Sequence, residues 1–375
     1  MILAKPRLEP DSSVLKTAKH LALFLPDMGG GGAERVALSL MEGFVAKGHR
    51  VDLVLYRATG LLLPLVPDAV TIHELKVDRQ HQAIGPLVRY LREHKPDAIQ
   101  AMMWPLPLIS ILARKLSRVS TRVIGAEHTP LSTAPFRLRS RFVRLLTRHA
   151  YSAADNLVAV SEGVAQDMCA FIGLSRESVQ VIYNPITLPS NLPLPIEARH
   201  LWPDGTVRLL AVGELKGEKN FALLLDAFAL LRRQINASLL ILGEGHLRTE
   251  LENQVRRNGL ERHVVFAGFD MNIWPYFTAA DLFVLSSDLE GYGNVLIEAM
   301  HAGLPIVSTD CPTGPREILE NGRFGTLVPC NDAEAMAEAI LFRVRDAYDP
   351  EPARLRAASL SGQRQIERYQ DIMLG

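Results

Sequence analysis

The chain has 375 residues, of which 48% are hydrophobic and 22% charged, and its formal net charge is zero. This composition is typical of folded proteins and excludes global disorder, and the length predicts two or three domains. No stretch reaches about 18 consecutive apolar residues, so no membrane-spanning helix is predicted. Charged residues interrupt the first twenty positions, which is atypical of a signal peptide, so we expect a cytosolic protein.

The zero net charge hides an asymmetry between the two halves of the chain. Up to Tyr183 there are 23 basic and 16 acidic residues, and after it 18 basic and 25 acidic ones. A basic first half predicts an anionic partner, either a surface or a substrate. The three cysteines, Cys169, Cys311 and Cys330, form no CxxC pair, so neither a disulfide framework nor a zinc site is predicted from them.

The first half of the chain alternates strand-like and helix-like segments. The apolar run HLALFLP predicts a buried strand, and the glycine-rich turn after it precedes AERVALSLMEGFVAKG, whose apolar spacing is helical. Further strands are predicted at RVDLVLY, PDAIQAMM, RVIGAEH and NLVAVS. This order implies crossovers between parallel strands and therefore an open α/β sheet.

Five prolines between residues 185 and 203 interrupt this alternation. Beyond them, VRLLAVG, ASLLILG, VVFAG, LFVLS and PIVST predict a second parallel α/β sheet. The tail has helical spacing and follows the complete second sheet, so it must pack outside that core. The predicted organisation is a first domain over residues 1–184, a linker over 185–206, a second domain over 207–349 and a C-terminal helix over 350–375.

Two glycine-containing loops have the character of anion-binding sites. Gly29 to Gly32 stand between a predicted strand and a predicted helix, where glycine allows close approach and the helix start offers N–H groups and partial positive charge. The spacing is not GxGxxG, and a plain flexible turn is the alternative. The loop from Gly291 to Gly293 similarly precedes a helix predicted to begin near Asn294.

Two glutamates flank that second helix start. Glu290 is predicted in a loop and Glu298 inside the helix, and even on one helix they would lie about 12 Å apart along the axis. The carboxylates of a retaining glycosidase lie at roughly 5.5 Å, so this spacing disfavours a glycosidase. Taken alone, the two residues are better explained as a solvated loop charge and a helix charge than as a functional pair.

Together, several segments resemble retaining glycosyltransferases of family 4. EGYGNVLIE resembles the E-x7-E signature of that family, GGAERV its first loop, VIYNPI its approach to the linker and AVGELKGEKNFALLLDAF its diphosphate-binding region. AMHAGLPIVSTDCPTGPREIL resembles the segment after the second glutamate, and the matches keep the expected order from about residue 21 to residue 330. The resemblance implies the GT-B architecture: two Rossmann-like domains facing across a cleft, with a C-terminal helix crossing back to the first domain.

The resemblance also implies roles for particular residues. Lys219 would neutralise the donor diphosphate, Glu298 would hold the nucleotide ribose, and Glu290 would contact the transferred sugar. Further substrate contacts are expected from Gly31, Gly32, Gly213, Asn294 and Val295. Residues near Gly243 to Gly245 and Gly268 to Phe269 would line the base pocket.

One position departs from the family pattern. The family usually has Arg directly after the glycine of its VGR segment, and this chain has Glu214. A carboxylate near the expected phosphates should weaken donor binding by several kcal/mol unless it points away or pairs with Lys216 or Lys219.

His128 ends the predicted strand RVIGAEH and should lie at the carboxyl end of the first sheet. Family members often carry a histidine there against the donor sugar, although an isolated histidine is as often structural. The other histidines show no metal-ligand spacing, so neither a metal site nor a cofactor is predicted, and the nucleotide-sugar is a co-substrate.

A basic amphipathic helix is predicted around residues 136–149. Arg137, Arg141, Arg144 and Arg148 follow helical spacing beside an apolar stripe of Leu138, Phe142 and Leu145. One interpretation is a solvated face over the first core. The other is contact with anionic lipid headgroups or an acceptor diphosphate, which would place the protein peripherally on the inner face of the cytoplasmic membrane. Nucleic acid is not an expected partner.

The sequence therefore predicts a retaining glycosyltransferase that moves a sugar from a nucleotide donor, with a UDP-sugar as first choice, to a hydroxyl of a glycan or lipid-linked glycan in cell-surface polysaccharide or glycoconjugate synthesis. No protein nucleophile and no metal are expected in the reaction. Two alternatives stay open: a nucleotide-sugar 2-epimerase of the same architecture, and a partner subunit that binds nucleotide-sugar without transferring it. The oligomeric state is not predicted.

Overall fold

The computed structural model describes residues 18–133, 140–194 and 196–375. These divide into two compact units, the first comprising the chain up to Pro185 together with Gln363–Gly375, and the second Ile186–Gly362. Across the described ranges, no helix combines the length and the apolar character that crossing a bilayer would require.

The first unit is built on a sheet of parallel strands in the order β3-β2-β1-β4-β5-β6-β7. The strands are β1 His20–Leu25, β2 Arg50–Leu55, β3 Val70–Glu74, β4 Ala98–Met102, β5 Arg122–Glu127, β6 Asn156–Ala159 and β7 Val179–Val181. The helices that connect them are α1 Gly32–Ala46, α2 Ile84–His94, α3 Leu106–Ser117, α4 Arg141–Tyr151 and α5 Glu162–Ile172. The central strands are buried along nearly their whole length because helices cover both faces, which explains their continuous apolar runs.

The second unit repeats this topology with the strand order β10-β9-β8-β11-β12-β13. The strands are β8 Val207–Val212, β9 Ala237–Leu242, β10 Val264–Gly268, β11 Leu282–Leu285, β12 Ile306–Thr309 and β13 Thr326–Val328. The helices are α6 Ile196–Arg199, α7 Phe221–Arg232, α8 Arg248–Arg257, α9 Trp274–Ala279, α10 Asn294–Ala302, α11 Pro315–Ile318, α12 Ala333–Arg345 and α13 Glu351–Leu360. The prediction of two parallel α/β sheets is therefore confirmed. Both sheets have the doubly wound Rossmann order.

The C-terminal segment differs from its prediction as one helix over residues 350–375. It forms two helices, α13 and α14 Gln363–Leu374, separated by Gly362 at φ +68°. Helix α13 packs on α10 in the second unit, and α14 packs on α1 in the first. Gly43 of α1 permits this second contact, because a Cβ there would lie 2.5 Å from Ile366 Cγ2 of α14.

Candidate active site

The second unit brings two functional loops together where its strand order reverses. Strand β8 has β9 on one side and β11 on the other, so the chain winds away from the β8–β11 pair in both directions. Ligands of open α/β sheets bind at such a point, outside the carboxyl ends of the strands. The loop after β8 carries Lys219 and the loop after β11 carries Glu290.

Lys219 and Glu290 form an ion pair at this edge. Lys219 Nζ lies 2.6 Å from Glu290 Oε1, and the two side chains are only 19% and 8% exposed. Ser287 Oγ donates to the same carboxylate oxygen at 2.7 Å, and Ser286 Oγ donates to the backbone carbonyl of Lys219 at 2.9 Å. The loop after β11 therefore holds the Lys219 ammonium in a polar environment.

Asn220 explains why these two loops keep their positions. It adopts the left-handed conformation at φ 42° and caps α7, because its side-chain oxygen accepts from the amide of Leu223 at 3.1 Å. Its side-chain amide also donates to Asp288 Oδ2 at 2.9 Å, and the Asp288 amide donates to the Glu218 carbonyl at 2.9 Å. The two loops are thus tied by side-chain and backbone hydrogen bonds.

Glycines let neighbouring backbone segments approach the same edge. Gly243 has φ +147°, and a Cβ there would lie 1.9 Å from the carbonyl oxygen of Gly213. The Gly243 amide donates to the Gly268 carbonyl at 2.7 Å. A Cβ at Gly213 would lie 3.6 Å from the side chain of Lys219. The predicted base-pocket segments therefore lie beside the diphosphate segment. Glycine is required at position 243, whereas a Cβ at Gly213 would make only ordinary contacts.

Helix α10 begins at Asn294 and follows Gly293, which has φ +100°. The amino end of this helix, including Val295, supplies a partial positive charge close to Glu290 in sequence. Glu298 lies inside α10 and is 8% exposed, so the two glutamates belong to different elements. Gly314, at φ +91°, allows its loop to press on the Glu290–Gly293 loop, since a Cβ there would lie 2.0 Å from the Tyr292 carbonyl oxygen.

Glu214 is paired with Lys216 and not with Lys219. Glu214 Oε2 lies 3.1 Å from Lys216 Nζ, and the side chains are 52% and 37% exposed. Lys216 Nζ also lies 3.8 Å from Glu218 Oε2. Burial lowers the pKa of Lys216, but these carboxylates raise it more, so its net shift is upward. Lys216 is therefore paired with Glu214, the residue that departs from the family pattern.

In the first unit, the glycine-rich loop follows β1 and leads into α1. Gly31 has an extended backbone and precedes α1, whose first residue is Gly32. A Cβ at Gly31 would lie 2.5 Å from Glu34 Oε2, so an acidic side chain of the first helical turn stands beside the predicted anion contact. The sequence interpretation did not include Glu34, although an acidic residue in the first turn of a helix can be seen in the sequence and competes with an anion for the helix start.

His128 follows β5 directly and is 8% exposed. Burial lowers its pKa to about 4, so the imidazole is neutral at neutral pH, and its Nε2 has no hydrogen-bond partner among the residues that the structure describes. The preceding Glu127 is 1% exposed, accepts from the Tyr151 hydroxyl and accepts from the Trp104 amide at 3.0 Å. Burial outweighs these bonds and raises the pKa of Glu127 to about 7.

The basic helix is α4, and the two described residues of its apolar stripe are exposed. Phe142 is 73% exposed and Leu145 is 64% exposed, whereas Thr147, Ala150 and Tyr151 are buried. A different face of the helix packs inward, so Phe142 and Leu145 do not contribute to the first core.

The arginines of this helix have separate surroundings. Arg141 and Arg148 are exposed, and the Arg144 guanidinium lies 5.3 Å from the centre of the Phe171 ring. Arg137 and Leu138 lie outside the described residues. The described part of α4 thus presents cations beside exposed apolar side chains.

Comparisons with known proteins assign the class. The model "Glycosyltransferase Family 4" matches residues 30–188, and the model "Glycosyl transferases group 1" matches residues 195–359. The chain is 27% identical over 345 residues to the N-acetylgalactosamine-N,N'-diacetylbacillosaminyl-diphospho-undecaprenol 4-alpha-N-acetylgalactosaminyltransferase of Campylobacter jejuni, covering 88% of this chain and 91% of that one. It is 28% identical over 293 residues to the amylovoran biosynthesis glycosyltransferase AmsD of Erwinia amylovora, covering 78% and 80% of the two chains.

Among solved structures, Anabaena HepE in complex with UDP and glucose superposes with a TM-score of 0.78 at 22% identity, covering 95% of this chain and 99% of that one. The fold is therefore GT-B, and the protein is a glycosyltransferase. The two glycosyltransferase family models, matched over residues 30–188 and 195–359, agree with the motifs that resemble family 4.

Proposed function

We propose that this glycosyltransferase moves a sugar from a UDP-sugar, with retention of anomeric configuration, to a hydroxyl of a lipid-linked glycan in cell-surface glycan synthesis. Two relatives support this choice: the Campylobacter jejuni enzyme is named for a diphospho-undecaprenol-linked acceptor, and AmsD for amylovoran biosynthesis. The structure with UDP and glucose supports uridine as the base. The second unit binds the donor in this proposal, and the first unit binds the acceptor.

The observation that carries the proposal is the buried Lys219–Glu290 pair beside the amino end of α10. A nucleoside diphosphate develops negative charge as it leaves, and a preformed cation with oriented N–H groups stabilises that charge. When the diphosphate binds, Lys219 Nζ contacts a phosphate oxygen, and the Glu290 carboxylate is released to accept hydrogen bonds from sugar hydroxyls. Glu298 accepts from the ribose hydroxyls.

The proposed reaction balances without a protein nucleophile. The bond between the anomeric carbon and the phosphate oxygen breaks, the acceptor oxygen attacks from the same face, and its proton passes to the departing diphosphate. Lys219 and the α10 amides supply the positive charge for this step, so we propose that the transfer needs no metal. Burial keeps the imidazole of His128 neutral, which suits hydrogen bonding better than charge stabilisation.

Helix α4 supports a membrane-bound acceptor. Its exposed Phe142 and Leu145 suit the boundary between headgroups and acyl chains, and its arginines suit anionic headgroups. We expect Phe142→Ser combined with Leu145→Ser to abolish sedimentation with anionic vesicles. Leu355→Ser is the matched control, because Leu355 is also 64% exposed but lies on α13 of the second unit. Unchanged sedimentation of the double variant would remove the membrane part of the proposal.

The donor assignment is tested by thermal shift with UDP-, GDP- and ADP-sugars, since a ligand that binds only the folded state raises the melting temperature. The preferred donor is then incubated with lipid extracts, and the labelled sugar is followed into the lipid fraction. Consumption of the donor in the absence of an acceptor would instead indicate the 2-epimerase. Binding without transfer to any extract would indicate the non-catalytic partner subunit.

A further inference from the structure

A second group of chemistry-bearing side chains lies in the first unit, away from the residues assigned above. Asp52 of β2, His73 of β3 and His94 at the end of α2 each offer a ligand atom, and these atoms all lie within 4.8 Å of one another. His20 of β1 adjoins them, because its Nε2 lies 2.8 Å from Asp52 Oδ2. His73 Nε2 lies 3.0 Å from the same oxygen.

The register of the parallel sheet explains this convergence. Asp52 stands opposite Ala22 of β1 and opposite Thr71 of β3. His20 lies two residues before Ala22 and His73 two residues after Thr71, so all three side chains share one face of the sheet.

Helix α2 covers this face. Tyr90 of α2 donates its hydroxyl to Asp52 Oδ2 at 2.8 Å, and His94 follows Tyr90 by one helical turn. The ring centres of His73 and His94 lie 4.4 Å apart. The two histidines therefore reach the carboxylate from different elements of the unit.

Hydrogen bonds within the described chain leave part of this group unexplained. Asp52 is fully buried, and its Oδ1 has no hydrogen-bond partner there, with only Arg50 Nε at 3.7 Å. The Nε2 atoms of His20 and His73 are close to Oδ2, the oxygen that the Tyr90 hydroxyl also contacts. Buried polar atoms in native proteins are nearly always paired, so an unpaired oxygen on a fully buried carboxylate that is surrounded by imidazoles favours a ligand at this point.

We propose that this cluster binds a divalent transition-metal ion with the preferences of Zn²⁺. Asp52, His73 and His94 are the ligands, and His20, whose Nε2 is close to Asp52 Oδ2 but outside this group of mutually close atoms, reaches the fourth position by turning its side chain. Imidazole nitrogens and one carboxylate oxygen in tetrahedral arrangement are a common zinc ligand set. Metal–ligand bonds of 2.0–2.1 Å place ligand atoms about 3.3 Å apart, so the spacings seen here need only small side-chain adjustments. The Tyr90 hydroxyl orients the carboxylate from outside the ligand shell.

The position of the cluster makes the ion structural. His20 is the first residue of β1 and Asp52 the third residue of β2, whereas the glycine-rich loop follows the opposite, carboxyl end of β1. The ion would join three strands and α2 on the face of the sheet that α2 covers, with Asp52 in the middle of β2 and His73 opposite Val54. It takes no part in sugar transfer, so the proposal does not depend on the proposed function.

Binding is measured on the full chain after treatment with chelator. We expect one equivalent of Zn²⁺ to bind and to raise the melting temperature, and Co²⁺ to give the intense visible absorption of a four-coordinate site. His94→Ala is the main variant, because His94 is half-buried at the end of its helix and its loss should leave the fold intact. It should lower Zn²⁺ affinity at least about 100-fold, and Tyr90→Phe about 10- to 100-fold.

His81→Ala is the matched control, since His81 is exposed and lies thirteen residues before His94, about 20 Å along a helix. It should bind Zn²⁺ like the unaltered chain, and the circular dichroism of the metal-free variants should match. Less than one equivalent bound by the unaltered chain would overturn the proposal. So would a His94→Ala variant that retains the affinity and the Co²⁺ spectrum. Either result would mean that the cluster is a carboxylate held only by tyrosine and imidazole N–H groups.

Discussion

Replacing Lys219 with methionine tests the centre of the proposed donor site. The Lys219 ammonium and the Glu290 carboxylate are 2.6 Å apart and mostly buried. Two unit charges at 4 Å interact by about 4 kcal/mol at an effective dielectric constant of about 20. Lys219→Met removes this attraction for the diphosphate and leaves the Glu290 carboxylate without its ion-pair partner, with the Ser287 hydroxyl still beside it. We therefore expect the dissociation constant for UDP to rise roughly 100- to 1,000-fold, or about 3–4 kcal/mol.

Glu290→Gln has the opposite effect on the same ligand. It removes the carboxylate that competes with the diphosphate for Lys219, so UDP binding should stay equal or become a few-fold tighter while sugar transfer falls. The double variant lacks both the cation and the unpaired carboxylate. It should bind UDP about tenfold better than Lys219→Met alone. If Glu290→Gln by itself leaves UDP binding equal, this is a coupling energy of about 1.4 kcal/mol, which lies in the range for residues in contact.

Isothermal titration with UDP at one fixed salt concentration measures all four proteins. Lys216→Met is the control for loss of a lysine in the same loop, and melting temperatures without ligand check the fold. The reasoning is refuted if Lys219→Met binds UDP normally. It is also refuted if the double variant binds as weakly as Lys219→Met, because Glu290 would then not face the phosphates.

Four further predictions concern a charge, two pH dependences and a glycine. Glu214→Gln should tighten UDP binding about two- to fivefold, because the exposed ion pair it breaks is worth at most about 1 kcal/mol and its loss removes an anion from the donor loop. The raised pKa of Glu127, about 7, means that its contribution to stability is lost as pH rises from 4.5 through 7, so Glu127→Gln should make stability rise more steeply with pH in that window. The lowered pKa of His128, about 4, means that its contribution is lost as pH falls from 6.5 through 4, so His128→Asn should make stability fall more steeply as pH rises. Gly243→Ala should destabilise the second unit by about 2 kcal/mol or more, because a Cβ would meet a backbone oxygen at 1.9 Å and the residue has φ +147°.

Each of these has its own measurement and control. Glu218→Gln is compared with Glu214→Gln by titration with UDP, since both carboxylates are 52% exposed and near Lys216 but only Glu214 lies within 3.5 Å of its ammonium. If both variants changed UDP affinity equally, the effect could not be assigned to the position of Glu214. The pH effects, each on the order of 3 kcal/mol, are read from denaturant unfolding at several pH values. Parallel profiles for the two variants would contradict them. Gly259→Ala is the control for the backbone clash, because Gly259 also has a positive φ of +64° but its Cβ would meet nothing within 4 Å.

Both sheets could be predicted because their central strands are buried on two faces and therefore carry uninterrupted apolar runs. Three strands were not predicted: β3, β7 and β13. Each lies at the edge of its sheet, and β3 exposes most of its side chains. An edge strand buries little apolar surface, so its sequence shows no comparable run.

The candidate donor site was predictable in its residues but not in its pairings. The order of motifs indicated that Lys219 and Glu290 serve the same substrate, and the topology places their loops after adjacent strands. The sequence left two partners open for Glu214, however. The lysine that pairs with Glu214 is decided by the path of a short loop. The hydrogen bond between Asn220 and Asp288 fixes that path, and a hydrogen bond between residues 68 positions apart has no local signature in the sequence.

The histidine cluster shows the same limit in a stronger form. The rules that recognise metal sites in a sequence depend on short spacings within one helix or hairpin. Asp52 and His73 are 21 residues apart, as are His73 and His94, and the three belong to different elements, so no short spacing exists. What unites them is the register of β1, β2 and β3, which is set by the apolar residues around them. Because the register cannot change without exposing that core, the sheet holds the carboxylate and the imidazoles together whether or not an ion is bound, and a metal would meet a site that is already formed.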